Sequence, residues 1–410
     1  MISILPTFNK QFRAFGWVQN PSNFRSLCDV VAIFNFNTAK HKALVSKIIP
    51  KLVLEKDGRD DLLNVLNSRP LKIKYSHLVG TSFRPRSSAR CNGIVQATVK
   101  GQGKKQFIDD WSADGFVRWA HCFDFIKYDY ENDAFEITKT GLELSQASMI
   151  GDEINTQEKK LLINAILAYP PAIRILSLLA ENNAHLTKFE IGKQLGFVGD
   201  AGFTSQPQSL LIRALSAEIN TKDKNKMRTD WEGSSDKYAR MIATWLVKLG
   251  LVEKAAKDVT VSVGGNSYTE TIGQSFMITA QGLTAYRRAL GKSKHSRISK
   301  NVCFEMLATK GADREYLRTK RALIIKFLSE SKKSVSVVEV RAFLAVHKII
   351  ESNETIIDDI QGLVNIGLNI ETLSATCIKW NDLINDFAIP LPQKPAKSSL
   401  KELLLKLLHY

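Results

Sequence analysis

Cysteine is scarce in this sequence, and the few cysteines present match no metal-binding or disulfide pattern. The 410 residues include five cysteines, an odd number, scattered along the chain without a CxxC pair. A structural zinc site needs several Cys and His ligands at short spacings, and only His121 and Cys122 are close together. Neighbouring residues of a helix point in different directions, so we predict no metal site. We interpret the cysteines as reduced thiols of a cytoplasmic protein.

Long apolar runs are also missing, and acidic residues are fewer than basic ones. No run approaches the roughly 20 apolar residues that a helix needs to cross a bilayer. The first residues do not combine a basic stretch with an apolar one, as a signal peptide does. Lys and Arg number 57 against 41 Asp and Glu, which gives a net charge of +16. Because such an excess attracts polyanions, and no membrane segment is evident, we expect nucleic acid as the partner.

The chain is long enough for two to four domains, and it contains an internal repeat. One copy begins at Asp110-Trp111 and ends in the pattern Phe-x-Ile-Thr-x-x-Gly-Leu at 135–142. A second copy begins at Asp230-Trp231 and ends in the same pattern at 276–283. A repeated pattern of this length predicts two related units of structure.

The second copy predicts the element order of a winged helix-turn-helix domain. Apolar residues recur at three- and four-residue spacing over 238–249, which indicates an amphipathic helix that ends at Gly250. We expect Ser234 or Ser235 to cap its start, with Asp236 at the positive end of the helix dipole. Two earlier helices are expected at 172–179 and 187–195, and the second begins with a Thr187–Glu190 capping box. A β-hairpin completes the unit, with a strand at 259–263, a turn at 264–266 and a returning strand at 275–278.

A third, weaker copy follows. Helical periodicity occurs at 321–328, 337–343 and 354–366, and it is followed by Gly367 and a possible wing at 370–380. We therefore predict a mainly α fold with small β-hairpins, built from three tandem winged-helix (helix-turn-helix) subdomains. The expected boundaries are 1–151, 152–297 and 298–389, with 390–410 as a linker and a truncated amphipathic helix.

Tandem winged helices with this charge favour double-stranded DNA, because a helix fits the major groove, where base edges differ in donors and acceptors. Winged helices also serve as protein-docking modules. We favour that alternative for the third unit, because its last helix, 354–366, is acidic and would repel phosphate. The basic run 286–297, which contains Arg287 and Arg288, is typical of a linker that follows DNA phosphates, with a merely solvated surface as the alternative.

Six motifs resemble one known family. They are WVQNP at 17–21, DWSADGF at 110–116, YPPAIRIL at 169–176, WEGSSDKYARM at 231–241, EMLAT at 305–309 and RALI at 321–324. The family is that of FokI-like type IIS restriction endonucleases, and the resemblance covers their recognition region, to about residue 390. It implies a bacterial protein with three helix-turn-helix subdomains. The first two would bind an asymmetric GGATG-type site as a monomer, and the third would contact the nuclease domain of the same enzyme.

The resemblance also implies which residues contact DNA. They are Gln19, Arg84, Gln102, Trp111 and Ser112 in the first unit and Glu232, Lys237 and Arg240 in the second. The side chains suit this role, because Lys and Arg donate to guanine, Glu accepts from cytosine and Gln pairs with adenine. An ordinary polar helix surface is the alternative. The family has two asparagines where this chain has Thr229-Asp230, and a serine in place of Ala113, which leaves the exact base sequence open.

In that family a PD-(D/E)xK nuclease domain, which uses Mg²⁺, would follow residue 390. The sequence ends about twenty residues later, so we expect no catalytic residues and no cofactor on this chain. Two E-x-K triplets, at 158–160 and 330–332, lie at expected helix ends and do not fit a nuclease site. Two functions remain. One is a recognition module that directs a separate nuclease domain or subunit to cleave at a fixed distance; the other is a stand-alone winged-helix DNA-binding protein, such as a transcriptional regulator.

Overall fold

Helical periodicity dominates the sequence, and helices make up most of the structure. The computed structural model describes residues 2–5, 16–53, 56–80, 91–101, 105–148, 151, 153–203, 207–234, 236–292 and 297–390. Eighteen α-helices and twelve short strands lie within these ranges. The predicted fold class, mainly α with small β-sheets, is confirmed.

The first unit surrounds a three-stranded antiparallel sheet with short helices. Its helices are α1 (Phe24–Ala32), α2 (Ala39–Ala43), α3 (Ile49–Leu52), α4 (Lys56–Asn67), α5 (Tyr75–Val79), α6 (Ile94–Thr98), α7 (Asp110–Cys122) and α8 (Lys139–Ala147). Its strands are β1 (Ile2–Leu5), β2 (Ile73–Lys74), β3 (Ile126–Asp129) and β4 (Ala134–Ile137). β4 lies between β2 and β3, so a wing follows α7 directly.

The second unit has the same plan with a longer connection between its second and last core helices. Its helices are α9 (Thr156–Ala168), α10 (Pro170–Ala180), α11 (Lys188–Gly192), α12 (Gln208–Ala217), α13 (Thr221–Ser234), α14 (Lys237–Lys248) and α15 (Ala280–Ala289). Its strands are β5 (Leu186–Thr187), β6 (Val252–Lys254), β7 (Lys257–Val263), β8 (Asn266–Ile272) and β9 (Ser275–Ile278). The predicted capping box is confirmed, since Thr187 and Glu190 cap the start of α11 reciprocally.

The third unit is the smallest and matches its predicted elements. Its helices are α16 (Arg314–Glu330), α17 (Val337–Val346) and α18 (Asn353–Asn365), and its strands are β10 (Ile370–Ser374), β11 (Cys377–Trp380) and β12 (Phe387–Pro390). β10 and β11 form the antiparallel wing expected over 370–380. β12 returns to the first unit and pairs in parallel with β1.

The last core helix of each unit, namely α7, α14 and α18, ends in the same way. The residue after the helix cap has a left-handed backbone, with φ of 57° at Asp124, 78° at Gly250 and 102° at Gly367. The next N–H then returns to a carbonyl of the last turn, from Phe125 to Ala120, from Leu251 to Leu246 and from Leu368 to Leu363. The predicted helix ends at Gly250 and Gly367 are therefore confirmed.

The repeated pattern Phe-x-Ile-Thr-x-x-Gly also has a structural basis. Its threonine caps the helix that follows the wing, and the Oγ1 atoms of Thr138 and Thr279 accept the backbone N–H of Gly141 and Gly282, each at 3.0 Å. A Cβ at either glycine would lie 1.9 Å from the backbone carbonyl oxygen of a residue that follows the last core helix, Phe125 for Gly141 and Leu251 for Gly282. Only glycine allows this close approach, which explains why both copies keep it.

The Asp-Trp pairs of the two copies are not structurally equivalent, which corrects the alignment made from the sequence. Asp110-Trp111 begins α7, whereas Asp230-Trp231 lies in α13, one helix before α14. When α7 and α14 are aligned at their C-terminal ends, Trp119 corresponds to Trp245. The backbone carbonyl of each tryptophan accepts the N–H of the C-cap residue of its helix at 3.1 Å. In the same alignment, Trp111 corresponds to Lys237.

Three further expectations for the second unit are wrong. Segment 259–263 does not pair with 275–278: β7 pairs with β8 over seven residues, and β9 lies between β5 and β6. Ser234 belongs to α13, and the N-cap residue of α14 is Asp236; Ser235 lies outside the described residues. The basic run at 286–297 is not wholly a linker, because α15 continues to Ala289.

The three units share one hydrophobic core. The indoles of Trp119 on α7 and Trp245 on α14 stack with ring centroids 4.6 Å apart and planes 10° from parallel. The buried Arg321 on α16 joins the third unit to the second, since its guanidinium binds Asp359 at 2.7 Å and Asp200 at 2.6 Å. In the described part of the chain, no single helix is long and apolar enough to cross a membrane, and only the pair α9 and α10, bent by 84°, passes that test jointly.

Candidate nucleic-acid interface

The start of α7 presents an exposed indole and a hydroxyl. Asp109 is the N-cap residue, and its carboxylate accepts the backbone N–H of Ser112 at 2.8 Å. Trp111 lies in the first turn and is 68% exposed. A tryptophan this exposed has no packing role, and such residues usually mark contact surfaces. Two residues predicted to touch DNA therefore lie side by side at a helix N-terminus.

A cleft of about 970 Å³ opens beside Ser112. Exposed Lys100 and Lys105 line it, together with Asn20 from the segment that follows Gln19. Basic side chains around a concave surface attract phosphate, and the polar residues between them can donate or accept hydrogen bonds. This cleft extends the candidate surface along the first unit.

The start of α14 is the equivalent position in the second unit. Asp236 has a left-handed φ of 46°, and its side chain approaches α11 so closely that a Cβ on Gly192 would lie 2.0 Å from the Asp236 carboxylate. Lys237 is the first residue of α14, and Arg240 follows one turn later; both are half-buried. Two cations therefore mark this helix start, at the positive end of its dipole, which suits an anionic partner.

Glu232 lies at the end of α13, next to the same helix start. Its carboxylate Oε1 is buried and accepts no hydrogen bond from the described residues. The Nη1 of Arg240 is 3.5 Å from the Glu232 backbone carbonyl oxygen, which links the end of α13 to the first turn of α14. A buried carboxylate oxygen with unused acceptor capacity suits a donor such as the cytosine amino group.

Gln19 lies beside the start of α14, and the next residue, Asn20, lines the cleft beside Ser112. The Gln19 side chain is hydrogen-bonded to the phenol of Tyr238, whose pKa is raised mainly by burial. Gln19 and Lys237 line one small cavity. The same segment is fixed between the units, because the Trp245 Nε1–H donates to the Pro21 carbonyl at 2.9 Å and the Lys248 ammonium donates to the Ser22 carbonyl at 2.6 Å.

The structure places six of the ten residues predicted from the sequence at or beside the starts of α7 and α14, and we call these six the cluster. They are Gln19, Trp111, Ser112, Glu232, Lys237 and Arg240. Arg84 and Gln102 lie outside the described residues. Arg287 and Arg288 are on α15, which begins against the opposite end of α14, where the Thr279 hydroxyl donates to the Gly250 carbonyl. Arg287 is exposed, and Arg288 donates to the Asn164 side chain at 2.6 Å, so these two stay predicted phosphate contacts outside the cluster.

The sequence did not predict α13 or the role of Glu270, whose ion pairs hold this helix in place. The exposed residues of α13 recur at helical spacing and include Lys222, Lys226 and Thr229. The helix is attached to the β7–β8 hairpin, because Lys224 and Arg228 form ion pairs with Glu270 on β8. Few apolar residues mark α13 in the sequence, so the usual periodicity was too weak to reveal it.

No group of three or more His, Cys, Asp or Glu side chains in the described ranges is arranged to hold a metal ion. The E-x-K triplets lie at helix ends, as expected: Glu158 caps the start of α9 and binds Arg25 at 2.7 Å, and Glu330 ends α16.

Comparison with known proteins identifies this architecture. The type II restriction enzyme FokI of Planomicrobium okeanokoites is 45% identical over 404 residues, which is 97% of this chain and 68% of that enzyme. The chain belongs to the FokI family. Models of the three parts of the FokI recognition region match it in turn: recognition subdomain 1 at 13–147, recognition subdomain 2 at 158–294 and the D3 domain at 307–375.

A second member of the FokI family and two solved structures agree with this assignment. The type II restriction enzyme StsI of Streptococcus sanguinis is 30% identical over 92% of this chain and 63% of that enzyme. The structure of FokI superposes with a TM-score of 0.84 at 44% identity, covering 96% of this chain and 68% of FokI. The structure of FokI bound to DNA gives the same TM-score at 43% identity, covering 97% of this chain and 68% of FokI.

Proposed function

We propose that this chain is the DNA-recognition region of a type IIS restriction enzyme and that it binds an asymmetric GGATG-type sequence in double-stranded DNA as a monomer. The observation that carries the proposal is a pair of equivalent helix starts on two helices that pack together through Trp119 and Trp245. Trp111 and Ser112 begin α7, while Lys237 begins α14 beside Glu232, and Gln19 lines a small cavity with Lys237. The FokI relative, which has the same fold, was solved bound to DNA.

The two helices have different chemistry at equivalent positions, which supports an asymmetric site. The first turn of α7 offers an indole and a hydroxyl, whereas that of α14 offers two cations beside a carboxylate. Two identical units would read the same base pattern twice. Two unlike units held rigidly through stacked Trp119 and Trp245 read adjacent, different bases.

A competition assay at roughly physiological salt tests this function, because nonspecific binding is weak under that condition. A labelled duplex that contains GGATG is challenged with unlabelled copies of itself and of a scrambled duplex of equal composition. We expect a preference of about 10³-fold or more for the intact sequence. Equal competition by both duplexes would contradict specific recognition of this site, and Thr229 and Asp230 would then be the first residues to examine.

We further propose that a PD-(D/E)xK nuclease domain or subunit of the same enzyme cleaves the DNA at a fixed distance with Mg²⁺, and that the third unit contacts it. Two observations support a protein partner for that unit. Val346 and Ile350 are each 80% exposed next to α18, and Glu354 and Asp358 on that helix are exposed. Asp359 does not contribute to this acidic face, because it is buried against Arg321.

End-labelled duplex containing the site provides the test of cleavage. The duplex is incubated with this chain and Mg²⁺, with and without the nuclease domain supplied as a separate polypeptide. We expect no breaks with this chain alone and breaks at one fixed distance from the site when both are present. Breaks scattered along the duplex would contradict the proposal that this chain directs the nuclease to one fixed distance from the site.

A further inference from the structure

Lys188 is a buried lysine in the second unit that the recognition chemistry above does not use. It is the first residue of α11, and none of its surface is exposed. Its ammonium donates to the backbone carbonyl of Glu232 and lies 3.4 Å from the carbonyl oxygen of Trp231. Burying an ammonium is costly unless it is hydrogen-bonded, and these carbonyls are acceptors for it.

The two carbonyls belong to the last turn of α13. Carbonyls there have no intrahelical partner and carry the negative end of the helix dipole, so a cation is favoured. The carbonyl of Glu232 is also approached by Arg240 of α14 at 3.5 Å. The backbone carbonyl of Glu232, the residue expected to contact a base, is thus contacted by Lys188 of α11 and by Arg240 of α14.

We propose that Lys188 is a positioning residue for DNA recognition, which fixes Glu232 and the start of α14 in the geometry that reads bases. This rests on the proposed function, because without base reading at Glu232 and Lys237 there is nothing to position. The residue does not touch DNA in this account, since its ammonium lies beneath the backbone of α13.

The same geometry couples DNA binding to a proton. Burial and then the charge of Arg240 lower the pKa of Lys188 to about 8, while Asp236 and Glu232 act in the opposite direction. Phosphates that approach Lys237 and Arg240 bring negative charge, which favours the protonated form. Around pH 8 part of the free protein lacks this proton, so binding that favours the ammonium takes up a proton. Affinity therefore falls as the pH rises, by at most about tenfold between pH 7 and pH 9.

The test measures the affinity of three proteins for the intact and scrambled duplexes at fixed salt from pH 7 to pH 9. The proteins are the wild type, Lys188→Met and Lys188→Arg. For Lys188→Met we expect discrimination to fall on the order of tenfold and the affinity to lose its pH dependence. Lys188→Arg keeps a cation that does not titrate in this range, so we expect it to restore discrimination with a flat profile.

Lys257→Met is the matched control, because Lys257 pairs with Glu190 on the same α11 at 3.0 Å but does not contact α13 carbonyls. It should keep both discrimination and the pH dependence. A wild type with constant affinity from pH 7 to pH 9, or a Lys188→Met variant that keeps both properties, would overturn the proposal. If Lys188→Met does not fold, Lys188→Arg decides, since a persistent pH dependence in that variant is incompatible with the proposal. Failure of the proposed function is distinguishable, because it would appear as no discrimination by the wild type at pH 7.

Discussion

Replacing Lys237 by alanine removes the cation that begins α14 and should change what the protein reads. A side chain that contacts one base pair contributes about 1–3 kcal/mol of discrimination, which corresponds to roughly 5- to 150-fold in affinity. We expect a loss of this size for the intact site. Because the lost contact is to a base, the variant should become tolerant of substitution at one base pair and keep its discrimination elsewhere.

Lys254→Ala is the matched control, on strand β6 of the same unit. It removes the same charge from an exposed side chain that is not part of the candidate surface. Competition with a set of duplexes, each altered at one base pair, distinguishes the two variants. Equal losses against every duplex, or the same pattern from both variants, would refute the assignment of base reading to Lys237.

Three further substitutions test other parts of the account. Arg288→Ala should weaken every duplex about equally and reduce the slope of log affinity against log salt by about 0.9, and a loss confined to the intact site would count against a phosphate contact. Gly282→Ala should destabilise the fold by about 1–3 kcal/mol in urea unfolding, because the methyl group would meet a carbonyl oxygen. Gly233→Ala is its control and should not destabilise the fold, because a Cβ at Gly233 would have no described atom within 4 Å. Arg321→Ala should cost about 3 kcal/mol, since it removes the buried guanidinium that pairs with Asp359 and Asp200 and leaves Lys320 as the ion-pair partner of Asp359, and an unchanged unfolding midpoint would contradict that.

The features that the sequence predicted well depend on local chemistry. The amphipathic stripe of α14, the glycine ends at Gly250 and Gly367 and the Thr187–Glu190 capping box each involve residues a few positions apart. The family motifs then supplied the candidate contacts, and six of these are in the described cluster. The contact that each of them makes with DNA and the boundaries of the units stay predictions.

The features that could not be predicted depend on distant residues. α13 buries only Met227 and Trp231 partly, against a small separate core that α12 and the β7–β8 hairpin complete. Its helical state therefore comes from tertiary contacts rather than from its own pattern. The strand pairing was predicted wrongly for a related reason: β9 pairs with β6 and β5, and the whole β7–β8 hairpin lies between β6 and β9 in the chain.

The burial of Lys188 could not be foreseen either, because lysines are almost always exposed. In the sequence it is an unremarkable residue after a helix cap. Its ammonium is covered because α13 packs over it, with the carbonyl oxygen of Trp231, 43 residues later in the chain, 3.4 Å away.

Selection from a pool of random duplexes tests the central claim, that two unlike helix starts read one asymmetric site, most directly. The protein is bound at roughly physiological salt, the retained duplexes are amplified, and the enriched sequences are aligned after several rounds. We expect a single asymmetric motif related to GGATG, which loses one position when the selection is repeated with Lys237→Ala. A palindromic motif, or a pool with no enriched sequence, would contradict it.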